Sequence, residues 1–114
     1  MPSLSLRIDL DPDGRVGPGK IELLEHIAAF GSISAGARQM NMSYKHAWGL
    51  VEEMNRLFGR AVVDAQKGGA HGGGAGLTKL GMELVTRYRA IERAAESAAA
   101  DHLSALQRVI ESAD

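Results

Sequence analysis

The chain has 114 residues, a length that suits one domain with a modest hydrophobic core. Its composition is that of an ordinary globular protein, with 45% hydrophobic and 24% charged residues and a net charge of −1. The absence of cysteine excludes disulfides, thiolate metal sites and cysteine nucleophiles. No apolar run approaches the roughly 20 residues of a membrane span, and the N-terminus lacks the pattern of a signal peptide. We therefore expect a cytoplasmic protein that does not contact a membrane.

The charges are segregated along the chain. Residues 1–14 have a net charge of −2, residues 15–89 of +4, and residues 90–114 of −3. A basic middle segment between acidic ends is typical of a protein that binds a polyanion. Chance scatter of charge in a small protein is the alternative at this point.

The first predicted elements are a strand and a helix. Residues 4–10 alternate apolar and polar side chains with period two, which predicts a half-buried strand. A turn over residues 11–14 and a second break at residues 17–19 follow. From Ile21 the apolar residues recur at helical spacing until Gly31, which stands where a helix C-terminus favours glycine.

Two further helices follow in close succession. A short second helix begins at Ser32 or Ser34 and runs through Met40. Ser43 caps a third helix, which ends at Gly59. Two helices joined by a turn of about three residues, after a first helix, predict a helix-turn-helix.

The segment after the third helix predicts a wing. Residues 61–65 form a short strand, and residues 66–76 contain six glycines. Leu77 and Thr78 can pair back as a return strand, while Thr78 also caps the last helix. The glycine-rich loop has neither the Gly-Lys-Ser/Thr of a Walker A loop nor the βαβ unit of a dinucleotide site. A plain flexible linker is the alternative to a wing.

A long helix is predicted from Lys79 to about Ser112. Its apolar positions form a stripe with steps of four, three, four, four, four, three and four residues. A helix of about 30 residues extends on the order of 45 Å, which is too long for one small core to cover. We therefore expect the stripe, which consists of Leu84, Tyr88, Ile91, Ala95, Ala99, Leu103, Leu106 and Ile110, to face a second subunit.

The candidate DNA-binding residues concentrate at the start of the third helix. A capped helix N-terminus that presents a hydroxyl, a cation and an imidazole suits the major groove. The alternative is a surface helix whose first turn happens to be polar. Trp48, five residues past the cap, is interpreted as a seal between this helix and the rest of the domain. The predicted DNA contacts are Ser34, Arg38, Ser43, Tyr44, Lys45, His46, and, in the wing, Lys67 and His71.

Catalytic, metal-binding and cofactor-binding residues are not expected. The four histidines have no partner at metal-ligand spacing. Glu52 and Glu53 are adjacent and point to different sides of a helix, so they cannot act as an acid–base pair. We expect a protein that is not an enzyme and that has no cofactor.

Several stretches together resemble the N-terminal DNA-binding domain of the molybdate-responsive transcriptional regulators of the ModE type, over residues 17 to 90. A more distant similarity to the winged helix of the LysR-type regulators is also present. The stretches are Gly17-Pro18-Gly19-Lys20-Ile21-Glu22-Leu23-Leu24, Gly31-Ser32-Ile33-Ser34-Ala35, Met42-Ser43-Tyr44-Lys45-His46-Ala47-Trp48, Glu53-Met54-Asn55 and Leu77-Thr78-Lys79-Leu80-Gly81.

The resemblance implies a homodimer that binds an inverted-repeat operator and regulates molybdate uptake or molybdoenzyme genes. It also implies that the stretch from Ser43 to Ala47 enters the major groove while the glycine-rich wing approaches the DNA backbone. Full-length members carry C-terminal oxyanion-binding domains, whereas this sequence ends 25 residues after Arg89. We therefore expect no small-molecule effector for this chain.

The resulting prediction is a mainly α fold with a small β component. Residues 1–78 form a winged helix-turn-helix domain with an N-terminal strand, and residues 79–114 form a dimerisation arm. The predicted partners are double-stranded DNA and a second copy of the chain. Two other functions stay open, namely a small sensor that binds an oxyanion or a metal directly, and a helical module that binds another protein.

Overall fold

The computed structural model describes residues 1–66 and 74–112, and it confirms a mainly α fold with small antiparallel strands. In chain order the elements are β1 (Ile8–Leu10), β2 (Gly14–Val16), α1 (Pro18–Phe30), α2 (Ile33–Gln39), α3 (Tyr44–Phe58), β3 (Val63–Gln66), β4 (Gly74–Leu77) and α4 (Lys79–Glu111). Within these two ranges, no helix is both long enough and apolar enough to cross a membrane.

The N-terminal strand is shorter than predicted and belongs to a hairpin. β1 pairs antiparallel with β2, and Ile8 lies opposite Val16. The prediction of a strand over residues 4–10 is therefore wrong in extent, although the side chains of residues 1–8 do alternate between exposed and half-buried. The prediction missed β2 because three residues between a turn and a Gly-Pro break carry too little pattern. A Cβ on Gly14 would overlap the side chain of Leu57, so the hairpin fits closely against α3.

Local capping determines where α1 and α2 begin and end. α1 begins at Pro18 rather than at Ile21, because proline is favoured in the first helical turn. It ends at Gly31, whose φ of 81° is the left-handed conformation that glycine adopts at a helix C-terminus. The Ser32 hydroxyl accepts a hydrogen bond from the Ala35 amide at 3.0 Å, so Ser32 and not Ser34 is the N-cap of α2.

The main core lies between the three helices of the helix-turn-helix and the wing hairpin. α1 and α2 approach closely because Gly36 has no side chain, and a Cβ there would lie 2.9 Å from Ile27 Cγ1. The buried members of this cluster are Leu23, Leu24, Ile27, Ile33, Ala37, Ala47, Val51, Met54, Val62 and Val63.

The wing hairpin is anchored to the helices at its base. β3 pairs antiparallel with β4, with Val63 opposite Leu77. β4 therefore begins inside the predicted glycine-rich loop and ends before Thr78, so the prediction of a return strand at 77–78 is wrong in extent. The Val62 amide donates to Asn55 Oδ1 at 2.8 Å, which ties the start of the hairpin to α3.

Only the first part of α4 belongs to the domain core. Thr78 caps the helix as predicted, because its hydroxyl accepts from the Gly81 amide at 3.1 Å. Leu84 packs against the main core, and Tyr88 forms a second buried cluster with Val16 and Ile21. The expectation that the whole stripe faces a second subunit is therefore wrong for Tyr88, which the chain's own domain covers. The remainder of α4 extends away, so the longest dimension of the molecule is 60 Å.

Candidate nucleic-acid interface

The first turn of α3 presents polar and aromatic side chains to solvent. The Ser43 hydroxyl accepts from the His46 amide at 3.0 Å, as expected of an N-cap. This bond uses a lone pair on Ser43 Oγ and leaves the hydroxyl proton available to donate to an external acceptor. Tyr44, Lys45 and His46 are all exposed. The structure therefore places these four predicted residues together at one helix end.

The opposite face of α3 determines how this turn is presented. Ala47, Val51 and Met54 are buried in the main core. Because these residues are held against α1, α2 and the wing hairpin, α3 cannot rotate about its axis without exposing apolar surface. The first turn is thus displayed on a fixed support, and side chains that read DNA need such a support.

The two predicted residues of α2 differ in accessibility. Arg38 lies in the last turn of α2 and is exposed, whereas Ser34 is half-buried near the start of that helix. Asn41, with a φ of 53°, lies in the turn that leads from α2 to α3. Arg38 lies five residues before Ser43, the cap of α3, and belongs to the same helix-turn-helix.

The two predicted wing residues, Lys67 and His71, lie outside the described residues. The structure does describe the strands on either side, since β3 ends at Gln66 and β4 begins at Gly74. The Ala75 amide donates to the Gly31 carbonyl at 2.7 Å, so the wing base is fixed to the end of α1.

Trp48 does not seal α3 against the domain. Its side chain is 40% exposed, and it belongs to neither buried cluster. Tyr44, one helical turn earlier, is 56% exposed on the same side of the helix. The sequence held a signal for this position, because Trp48 falls beside the buried stripe of Ala47, Val51 and Met54 rather than within it.

Positive charge outweighs negative charge around this helix end. Lys45 and Arg38 are exposed, and a shallow groove along α3 is lined by Ser43, Lys45, His46, Gly49, Leu50 and Glu53. The carboxylate of Glu53 lies 3.0 Å from the Lys20 ammonium, which offsets its charge. In the part of the chain that the structure describes, no group of three histidine or carboxylate side chains could hold a metal ion.

Helices α2 and α3, joined by a tight turn and followed by the β3–β4 hairpin, define the class of protein as a winged helix-turn-helix. No protein-family model matches the chain. Individual relatives do match it. The chain is 49% identical over 78 residues to a molybdenum-pterin-binding protein, MopB, of Rhodobacter capsulatus, an alignment that covers 68% of this chain and 29% of that protein.

Two transcriptional regulators of the same group also match. The DNA-binding transcriptional dual regulator ModE of Escherichia coli K12 is 48% identical over 71 residues, or 62% of this chain and 27% of the regulator. The transcriptional regulator ModE of Haemophilus influenzae is 36% identical over 83 residues, or 73% of this chain and 32% of the regulator. The chain is a homologue of the N-terminal, winged-helix part of the ModE-type regulators. It spans about a third or less of the length of these relatives.

Proposed function

We propose that this chain is a sequence-specific DNA-binding regulator of transcription that inserts the N-terminal turn of α3 into the major groove. The observation that carries the proposal is the first turn of α3. It is capped by Ser43, it presents Tyr44, Lys45 and His46 to solvent, and it is held by a buried face. The helix amides and the hydroxyls suit phosphate oxygens, while Lys45 suits a phosphate or a guanine edge.

The names of the relatives support this function and suggest its targets. They are described as transcriptional regulators, molybdenum-pterin-binding proteins and a molybdenum transport protein. By analogy we propose that this chain regulates genes of molybdate uptake or of molybdoenzymes.

The symmetry of α4 supports binding as a homodimer to an inverted repeat. Beyond the domain core, the stripe residues Ile91, Ala95, Ala99 and Leu103 have steps that read the same from either end, with the centre between Ala95 and Ala99. Two antiparallel copies would therefore place Ile91 of one chain opposite the partner's Leu103 and bring the two alanines into close contact. Such a stripe is complementary to itself under a two-fold axis, as a closed dimer requires.

The exposed parts of the stripe support the same arrangement. Ile91 is 48% exposed, and near the C-terminal end Leu106 and Ile110 are 64% and 68% exposed. An apolar groove lies at the other end of α4, beside the β1–β2 hairpin, and its lining includes Ile8, Leu10, Leu84, Tyr88 and Ile91. The antiparallel register would bring the partner's Leu106 and Ile110 to this groove. The pairing would thus cover apolar surface that a monomer leaves in water.

The proposed function is tested by titrating the protein against promoter fragments and unrelated duplexes at several salt concentrations. Contacts with several phosphates should give an affinity that falls steeply as salt rises, with a slope of about 0.9 per phosphate neutralised. A regulator should also prefer one fragment by about a thousandfold or more over unrelated DNA. Salt-independent binding, or no binding to any duplex, would overturn the proposal.

A further inference from the structure

The first two turns of α3 display an exposed aromatic pair beside the buried face of the helix. Tyr44 is 56% exposed and Trp48 is 40% exposed. They are four residues apart and therefore lie on the same side of the helix, one turn from each other. Large apolar side chains bury easily in a core, and this protein has such a core directly beneath Ala47 and Val51. The pair remains outside it.

The surroundings of the pair favour a charged partner over an apolar protein surface. The same turn of α3 displays Lys45 and His46 on its other solvent-facing sides, where they line a shallow groove. A second protein or a second copy of this chain that covered the whole turn would have to desolvate these polar groups as well as the aromatic rings. A nucleic acid can pair with the cations and still offer an apolar group to the rings.

The major groove displays one apolar group on its base edges, the C5-methyl of thymine. We propose that Trp48 contacts a thymine methyl and is thereby a specificity-determining residue of the interface, with Tyr44 extending the same apolar surface. This inference rests on the proposed function, because it requires α3 to enter the major groove. Trp48 lies one turn past the helix N-terminus, in the region of a recognition helix that approaches base edges.

The experiment begins with selection of a duplex from a random-sequence pool by the full wild-type chain. Each thymine of the selected duplex is then replaced in turn by uracil, which removes only the methyl group. Burial of one methyl group should be worth about a fourfold change in affinity. We expect wild-type protein to lose about fourfold at one or two thymines, and W48A to bind the thymine and uracil duplexes equally.

Two further variants make the result specific to Trp48. M82A removes another apolar side chain, 52% exposed and located on α4, and should retain the fourfold sensitivity of wild type. If thermal unfolding shows that W48A does not fold, W48Q takes its place in the experiment. W48Q has a polar side chain at this position and should likewise bind the thymine and uracil duplexes equally.

The outcomes separate this inference from the proposed function. If wild-type protein selects no sequence, the proposed function fails and this inference fails with it. If wild-type protein selects a duplex but no uracil substitution changes its affinity, only this inference is overturned. It is overturned as well if W48A keeps the uracil sensitivity of wild type, or if Trp48 proves instead to be covered by a second protein chain.

Discussion

At the scale of single residues, three hydroxyl groups define where α2, α3 and α4 begin. Ser32, Ser43 and Thr78 each accept a hydrogen bond from the amide three residues later. Each cap is worth about 1 kcal/mol. The cap at Ser43 matters most for the proposed function, because it fixes the turn that carries Tyr44 and Lys45.

Replacement of Lys45 or Tyr44 by alanine should weaken DNA binding without unfolding the protein, because both side chains are exposed. If Lys45 reads a base edge, K45A should cost about 1–3 kcal/mol and relax the preference at one position. If it contacts a phosphate, binding to all sequences should weaken about equally and the salt slope should fall by about 1. Titrations with specific and unrelated duplexes distinguish the two roles. Wild-type affinity in both K45A and Y44A would show that α3 is not the recognition helix.

Tyr88 should make the protein sensitive to alkaline pH. Its hydroxyl donates to the Leu6 carbonyl at 2.7 Å, and it is 1% exposed. Burial raises its pKa above the ordinary value of 10.0, and the nearby carboxylate of Glu92 raises it further. The folded state favours the neutral phenol. The contribution of Tyr88 to the free energy of unfolding is therefore complete below pH 10 and is lost as pH rises through the raised pKa.

The matched variant is Y88F, which cannot ionise. At neutral pH it should lose about 1 kcal/mol of unfolding free energy, because the Leu6 carbonyl loses its donor. Above pH 10 its stability should decline less steeply than that of wild type. Urea titrations at a series of pH values give both results, and parallel alkaline declines would contradict the assignment.

At the scale of elements, a bidentate ion pair joins α1 to α4. Arg89 donates through Nε to Glu25 at 3.2 Å and through Nη2 to the same carboxylate at 2.6 Å. Its third nitrogen donates to Glu92 at 2.8 Å, and these hydrogen bonds raise the pKa of the guanidinium further above its ordinary value. The pair therefore holds the direction in which α4 leaves the domain.

Removal of this pair should affect stability slightly and DNA binding more. R89A should cost on the order of 1 kcal/mol in unfolding free energy, since both partners are partly exposed and solvent screens them. If α4 also sets the distance between two recognition helices, R89A should tolerate altered half-site spacing that wild type rejects. R89K keeps the positive charge but cannot form the bidentate contact with Glu25. It should therefore behave like R89A when binding is measured on operators with altered half-site spacing. An unchanged spacing preference would restrict Arg89 to a stabilising role.

The proposed antiparallel register of α4 predicts a distinctive pattern of cross-linking. Because Ala95 would face the partner's Ala99 in that register, an equimolar mixture of A95C and A99C should form a disulfide-linked heterodimer under oxidising conditions. Neither variant alone should link as efficiently, because like positions are offset along the helices. A parallel pair would give the reverse pattern, which non-reducing gels would reveal at once.

The long, strongly patterned elements could be predicted from the sequence, and the short ones could not. The caps Ser43 and Thr78, the stop at Gly59 and the length of α4 follow from local chemistry that acts within one helical turn. β2 and β4 have three and four residues, so their existence depends on a pairing partner that a sequence pattern does not show. The interpretation of Trp48 as a seal is wrong, and helical spacing already places this residue beside the buried stripe of Ala47, Val51 and Met54 rather than within it.

At the scale of the whole molecule, the shape suits a two-fold assembly on DNA. The domain core covers α4 only as far as Tyr88, while the longest dimension reaches 60 Å. Two chains joined along the exposed part of α4 would carry two copies of α3, and an operator with two half-sites would match such a pair. The acidic segment of residues 90–114 would then lie along the dimer interface.

Sedimentation of the wild-type chain with a duplex that contains its selected site tests DNA binding by a two-fold dimer in a single measurement. We expect a complex of two chains per duplex at micromolar protein, and dissociation of that complex as salt is raised. Free protein should already sediment as a dimer. A chain that sediments as a monomer and leaves the duplex unbound would contradict both the DNA-binding function and the two-fold assembly.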